Sequence, residues 1–287
     1  MIKKINGLKE VLNKYDVFFI DIWGVLHDGV NLFPNVLNTL KFLNDHHKKI
    51  IILSNAPRRI DASIKKLTLM GLDHSYYHGL YTAGEHCYSY LQKEFVKNHS
   101  GIGLKYYHFG FNKKSDLVDD LPFTHTNDIE KSDFFLLTGL PIFEEITKEH
   151  QKLLHDGIKK KLPLICANRD KVVRFNQKNL LCAGTIGHMY QQMGGEVLLY
   201  GKPDPLIYEL ALLTVYKSVL PLKEKMVMIG DGIETDMVGA KNFGIDSILI
   251  STGIHYNDLH HGLNASIFSF FDHFQAFPTY FLSELTI

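Results

Sequence analysis

"KMVMIGDGIETDMVGAKNFG", residues 225–244, is the stretch on which the fold turns. Its first seven residues show no polar alternation, the pattern of a strand buried on both faces, as in a parallel sheet. The rest has helical character and stops at Gly244, the residue type that most readily closes a helix. Strand, loop and helix in that order form one unit of an α/β fold. The central "GDGIET" imitates a dinucleotide-binding fingerprint, but the third glycine is missing and no acidic residue ends a following strand, so no nucleotide cofactor is expected.

Three more runs of the same kind lie on either side: "VFFID" (17–21), "KIIILSN" (49–55) and "SILIST" (247–252). Helical patterns accompany them at "PRRIDASIKKLTLMG" (57–71), with Pro57 early and Gly71 as the stop, and at "KPDPLIYELALLTVYKSV" (202–219), with prolines in the first turn. Residues 56–224, between the second and third of these strands in chain order, are too many for an unstructured loop. They hold further strand candidates, "KYYHFG" (105–110), "DFFLLTGL" (133–140) and "LPLICAN" (162–168), and a helix candidate at 142–161. The expected architecture is a doubly wound parallel-sheet core with a second α/β domain inserted into it.

Composition narrows the function. Lysine and arginine together number 31, as do aspartate and glutamate, and no block of like charges stands out, which argues against a nucleic-acid partner. No run of about 18 apolar residues and no signal-like N-terminus occurs, so a soluble, cytoplasmic protein with no membrane partner is expected. Cys87, Cys166 and Cys182 are far apart with no CxxC pair and read as buried thiols. The phenylalanine-dense tail, "SIFSFFDHFQAFPTYFL" (266–282), reads as core packing.

In doubly wound sheets ligands bind beyond the carboxyl ends of the strands. The residues closing the four runs are Asp21, then Ser54 and Asn55, then Asp231 with Asp236 shortly after; Lys202 precedes a helix that starts near the same rim. Carboxylates for a hard divalent cation, a hydroxyl and an amide for phosphoryl oxygens, and an ammonium to neutralise charge make an inventory for phosphoryl transfer.

Four segments, "FFIDIWGVLHDG", "IILSNAPR", "YGKPDPLIYELAL" and "VMIGDGIETDMVGAKNFGI", resemble the four motifs of the haloacid dehalogenase superfamily, in the class IIA branch that includes N-acetylglucosamine-phosphate and pyridoxal-phosphate phosphatases. The resemblance implies a phosphatase with Asp21 as nucleophile, forming an aspartyl-phosphate, Ser54 binding the phosphoryl group, and Lys202 holding nucleophile and phosphate together, while Asn55 is placed on the phosphate side by its position on the rim. It implies Mg²⁺ as cofactor, bound by Asp21, Asp231 and Asp236 with the backbone carbonyl of Trp23. It also implies a large cap between the second and third motifs, placed here at residues 80–196, with the core at 1–79 and 197–287. The strand in "CANRD" ends in Asn168, Arg169 and Asp170, a region that by the resemblance would face a small phosphorylated metabolite, with Asp170 or Arg169 setting specificity; a surface turn is the alternative reading, and a homodimer is a further implication.

One position departs from the family pattern. Two residues after the nucleophile stands Trp23, where a second aspartate would act as general acid and base. An indole N–H donates but does not titrate usefully, so good leaving groups should be hydrolysed best. His27 and Asp28, in the following flap, are candidate substitutes. The alternatives are a phosphate- or phosphometabolite-binding protein without efficient turnover, and a phosphotransferase using the same site.

Overall fold

The computed structural model describes residues 2–98, 103–110, 114–139, 145–175, 178–259 and 262–287. The chain lays down β1 (Lys3–Lys4), β2 (Val17–Ile20), β3 (Lys49–Ser54) and β4 (Gly79–Thr82). It then leaves for a second sheet made of β5 (Leu104–Phe109), β6 (Phe123–His125), β7 (Phe134–Leu137), β8 (Leu164–Cys166) and, after the antiparallel ribbon β9 (Val172–Phe175) and β10 (Lys178–Leu181), β11 (Val197–Leu199). It returns through β12 (Met226–Gly230), β13 (Asp246–Ile250) and β14 (Tyr280–Leu282). The first sheet runs β1-β14-β13-β12-β2-β3-β4 and the second β11-β8-β7-β5-β6, every neighbouring pair in both being parallel.

The uninterrupted apolar runs are explained by burial on both faces. Phe18 and Ile20 of β2 join Ile50 and Ile52 of β3 and Val227 and Ile229 of β12 in one layer. Val17 and Phe19 join Ile51, Leu53, Met226 and Met228 in the opposite one. Burying each such side chain contributes about 1.5–3 kcal/mol relative to leaving it in water. The second sheet has the same construction, with Phe134 and Leu136 on one face and Phe135 and Leu137 on the other.

Several boundaries differ from the sequence reading. β4 pairs with β3 and β11 with β8, so the sheets divide the chain three residues beyond each expected junction. The helix after β3 is Ile60–Leu69, beginning after Pro57 because the Glu85 carboxylate accepts the Ile60 N–H at 3.2 Å and caps it there. The helix after Lys202 is Pro205–Leu213, ending well short of Val219, and the Thr214 hydroxyl donates to the Ala211 carbonyl at its end. The segment after β12 opens as a π-turn, Ile233–Met237, before the α-helix Val238–Phe243 ends at Gly244 in the left-handed conformation. The helix expected at 142–161 is Lys148–Lys160, and residues 142–144 lie outside the described ones.

All three cysteines are free and buried. In the tail, Ile267, Phe271 and Phe281 are core residues, whereas Phe268, Phe270 and Phe277 are exposed, so the packing expectation holds for only one face of the helix Ala265–Phe274. Among the described residues no helix is long and apolar enough to cross a membrane.

Candidate active site

The parallel register aligns Ile20 of β2 with Ile52 of β3 and Ile229 of β12, which brings the carboxyl ends of three central strands side by side. Asp21 follows β2 and donates its N–H to the Ile229 carbonyl at 2.9 Å. Ser54 ends β3, Asn55 follows it, and Asp231 follows β12. Asp236 sits in the π-turn, where its Oδ2 accepts the Gly232 N–H at 3.0 Å. That bond folds the turn back on itself, consistent with the tendency of π-turns to occur at functional sites.

Lys202 joins these pieces. Its ammonium, 2 % exposed, lies 2.5 Å from Asp21 Oδ1 and 2.7 Å from Asp236 Oδ1, and donates to the Leu53 carbonyl at 3.0 Å. Burial opposes its charge, but Asp21 and Asp236 outweigh that effect and hold its pKa above the ordinary lysine value. Asn55 fixes the backbone beneath: its Oδ1 accepts the Lys202 N–H at 2.7 Å and its amide donates to the Lys202 carbonyl at 3.1 Å. The same amide donates to Asp170 Oδ1 at 2.7 Å, tying the loop after β8 to the first sheet.

Asp21, Asp231 and Asp236, all buried, offer oxygens that lie within 4.8 Å of one another. Burial lifts Asp21 to about 7 against the pull of Lys202, with the Asp236 charge adding to the rise. Burial, followed by the charges of Asp21 and Asp236, holds Asp231 well above the carboxylate range. Asp236 Oδ1 pairs with Lys202 by distance but forms no aligned hydrogen bond. Three buried carboxylates served by one ammonium leave negative charge that a hard cation would neutralise, so the donor set fits a divalent metal ion. A cavity of about 30 Å³ bordered by Asp21, Trp23, Lys202 and Asp231 lies at this place. The backbone closes in tightly: a Cβ on Gly253 would overlap the Asp231 carboxylate, and Gly24 reaches its position only at φ +79°.

A second cavity, of about 440 Å³, opens from Asp21 and Ser54 toward the inserted domain and is also lined by Trp23, His27 and Asp170. Burial, against the pull of Lys202 and the Asn55 hydrogen bond, raises Asp170 to about 6. The Trp23 indole N–H donates to the Arg174 carbonyl of β9 at 2.7 Å, and its ring lies near Phe175. The tryptophan thus bridges the two domains.

His27 is buried, its Nδ1 accepting the Gly29 N–H at 2.9 Å, and burial together with the Lys66 charge lowers its pKa to about 4. It is neutral at pH 7 and poorly suited to serve as a general acid. Asp28 accepts the N–H groups of Val30 and Asn31 at 2.9 and 2.8 Å and acts as a turn residue. Because the folded pKa of His27 is depressed, the stability associated with its neutral form is fully present above its ordinary value of 6.5 and is lost as pH falls toward 4. Lowering the pH from 7 to 5 should cost ~2 kcal/mol at this residue. Urea denaturation at both pH values should show a smaller loss in His27→Gln; equal losses would contradict the assignment.

Asp21, Trp23, Ser54, Asn55, Asp170, Lys202, Asp231 and Asp236 each border one of these two cavities or bond directly to a residue that does, and His27 lines the larger one, whereas Asp28 is spent on its own turn. Two were missed. Arg58 and Lys66 also line the larger cavity. Arg58 follows shortly after β3 and was visible as a rim position, whereas Lys66 depends on the direction taken by the helix Ile60–Leu69.

Comparison with known proteins finds relatives along most of the chain. A family model described as haloacid dehalogenase-like hydrolase matches residues 18–121, and one described as HAD-hydrolase-like matches residues 199–276. The chain is 23% identical to an acid sugar phosphatase of Staphylococcus haemolyticus, over 85% of this chain and 88% of that protein. It is 25% identical to a 4-nitrophenylphosphatase of Schizosaccharomyces pombe, over 88% and 90%. Among solved structures, a haloacid dehalogenase-like hydrolase from Brucella suis superposes with a TM-score of 0.83 at 28% identity, over 98% of this chain and all (100%) of that one. A 4-nitrophenylphosphatase from Thermotoga maritima superposes at 0.68 with 23% identity, over 96% of both chains.

Proposed function

Because the chain belongs to the class IIA branch of the haloacid dehalogenase superfamily, we propose that it is a Mg²⁺-dependent phosphatase of small phosphorylated metabolites acting through an aspartyl-phosphate on Asp21. The observation that carries this reading is the buried Lys202 ammonium held between Asp21 and Asp236, with Asp21 itself bordering a cavity of about 440 Å³, large enough for a metabolite. The insertion around the second sheet acts as the cap over that cavity.

Mg²⁺, held by Asp21, Asp231, Asp236 and the backbone carbonyl of Trp23, would neutralise charge on the phosphoryl group and ease the approach of a carboxylate to it. Asp21 attacks phosphorus through one carboxylate oxygen. The bond from phosphorus to the ester oxygen breaks, and its electron pair departs with the leaving group. The Ser54 hydroxyl and the Lys202 ammonium stabilise the charge spread over the phosphoryl oxygens. Water then cleaves the acyl phosphate, releasing inorganic phosphate and restoring Asp21.

The Trp23 indole N–H donates a hydrogen bond to the Arg174 carbonyl and does not ionise in the range needed to protonate a leaving alkoxide. Asp170 borders both cavities and keeps its proton to a higher pH than an ordinary carboxyl group, so it is assigned the proton transfer that Trp23 cannot make. Leaving groups of low pKa, such as phenols, need that proton least. The ratio of alkyl to aryl phosphate turnover is therefore expected to rise at least about tenfold in Trp23→Asp and to fall in Asp170→Asn. Unchanged ratios in both variants would exclude these roles.

Phenyl phosphate hydrolysis in Mg²⁺ and in chelator tests the reading as a whole. Turnover is expected to drop at least about 10²-fold on metal removal. Mg²⁺ at about 100 times its Kd should also add about 2.7 kcal/mol to stability in denaturant titrations, an increment lost in Asp231→Asn. Metal-independent turnover, or no stabilisation, would contradict the reading.

A further inference from the structure

The larger cavity extends beyond what binding a single phosphoryl group requires, and three cations line it, Arg58, Lys66 and Lys114, of which the first two stand in no ion pair among the described residues. Arg58 and Lys66 border this cavity, whereas neither borders the smaller one beside Asp231. Burial lowers the pKa of both, and the charge on Arg58 lowers that of Lys66 further. Asp116 exerts some pull on Arg58, but among the described residues no carboxylate stands within ion-pair distance of either. Lys114, on the same cavity, is by contrast already paired with Asp119 at 2.5 Å.

The neighbours of the pair favour an anion as well. The Lys66 ammonium stands over the Trp23 ring, 5.1 Å from its centroid, a contact that positions the charge without neutralising it. His27 lines the cavity nearby and, with Nδ1 accepting the Gly29 N–H, carries its proton on Nε2 as a neutral donor. Two like charges held together in a partly desolvated wall repel one another, and a bound anion would relieve that repulsion while accepting charge-assisted hydrogen bonds. The tryptophan at the acid/base position thus has a second consequence: its ring face is part of the support for this cationic wall.

We propose that Arg58 and Lys66 form a subsite for a second anionic group on the leaving-group side of the substrate, so that the preferred substrates are phosphate esters carrying an additional carboxylate or phosphate. The proposal rests on the reading of Asp21 as the phosphoryl acceptor, which fixes the other end of the substrate.

Matched pairs of esters test it: glucose 6-phosphate against 6-phosphogluconate for a carboxylate, and fructose 6-phosphate against fructose 1,6-bisphosphate for a phosphate. With the native chain and Mg²⁺, kcat/KM is expected to be at least about tenfold higher for the more anionic member of at least one pair, mainly through KM. Arg58→Gln and Lys66→Gln should each shrink that preference by at least about fivefold. Equal kcat/KM within both pairs, or a preference that survives both substitutions, would overturn the proposal. Calorimetric binding of the same esters to Asp21→Asn reads the subsite without turnover. Tighter binding of the more anionic ester, weakened by adding Arg58→Gln, upholds the subsite, and equal binding overturns it. If the native chain turned over none of these esters, nor phenyl phosphate, the phosphatase reading would fail while the binding comparison still decided the subsite.

Discussion

Replacing Asp21 by asparagine is expected to lower kcat for phenyl phosphate by at least about 10³-fold, because the substitution removes the nucleophile and leaves no equivalent oxygen to form an acyl phosphate. Asparagine has nearly the same shape, and Lys202 retains Asp236 as a partner at 2.7 Å, so the fold should persist. Circular dichroism and denaturant titration would separate loss of chemistry from loss of structure. A folded Asp21→Asn protein with more than about a tenth of native activity would be incompatible with nucleophilic catalysis at this residue.

The second large effect belongs to Lys202, which combines a structural and a chemical role. Lys202→Met keeps the length of the side chain and removes its charge, stranding Asp21 and Asp236 in a site where they are only 10% and 1% exposed. Breaking a buried pair by deleting one partner costs about 3–5 kcal/mol. The loss should be largest in chelator and smaller in Mg²⁺, because a bound cation can take over part of the neutralisation. Loss of the ammonium from the phosphoryl clamp should also lower kcat by about 10²- to 10³-fold. Denaturant titrations with and without Mg²⁺ measure the first effect and phenyl phosphate kinetics the second. A variant as stable as the native chain in chelator would mean that the ion pairs are energetically neutral.

The sequence revealed those parts of the site that hang on strands. "VFFID", "KIIILSN" and "KMVMIGD" are apolar without alternation because both faces are buried, and a polar residue can follow only where the strand leaves the core. Asp21, Ser54 and Asp231 were therefore legible from the sequence as residues of one rim. Lys202 and Asp236 were legible as well, because each lies close to a helix start on the same side of the sheet.

What was not legible depends on how separate pieces dock. The Trp23 contact with the Arg174 carbonyl requires the β9–β10 ribbon to fold over the first sheet, a relation that no local pattern encodes. Asn55 read as a phosphate ligand, yet its amide and carbonyl are spent on Lys202 and Asp170, so its bonds in this structure are those of a positioning residue. Lys66 carries no local signal in the helix Ile60–Leu69, and only its approach to the Trp23 ring sets it apart. The start of the helix after β3 was misjudged for a similar reason, since the cap on Ile60 comes from Glu85 across a tertiary contact.

The central claim, that Asp21 accepts the phosphoryl group, is tested most directly by trapping the intermediate. The acyl phosphate should be caught by rapid acid quench within the first turnovers after mixing with phenyl phosphate and Mg²⁺, and should persist longer in Asp170→Asn, which lacks the group assigned to activate water. Peptide mass spectrometry should then find one phosphoryl group, located on Asp21 and absent from Asp21→Asn. Phosphoryl transfer to a different residue, or steady turnover by Asp21→Asn with nothing bound at position 21, would contradict the account.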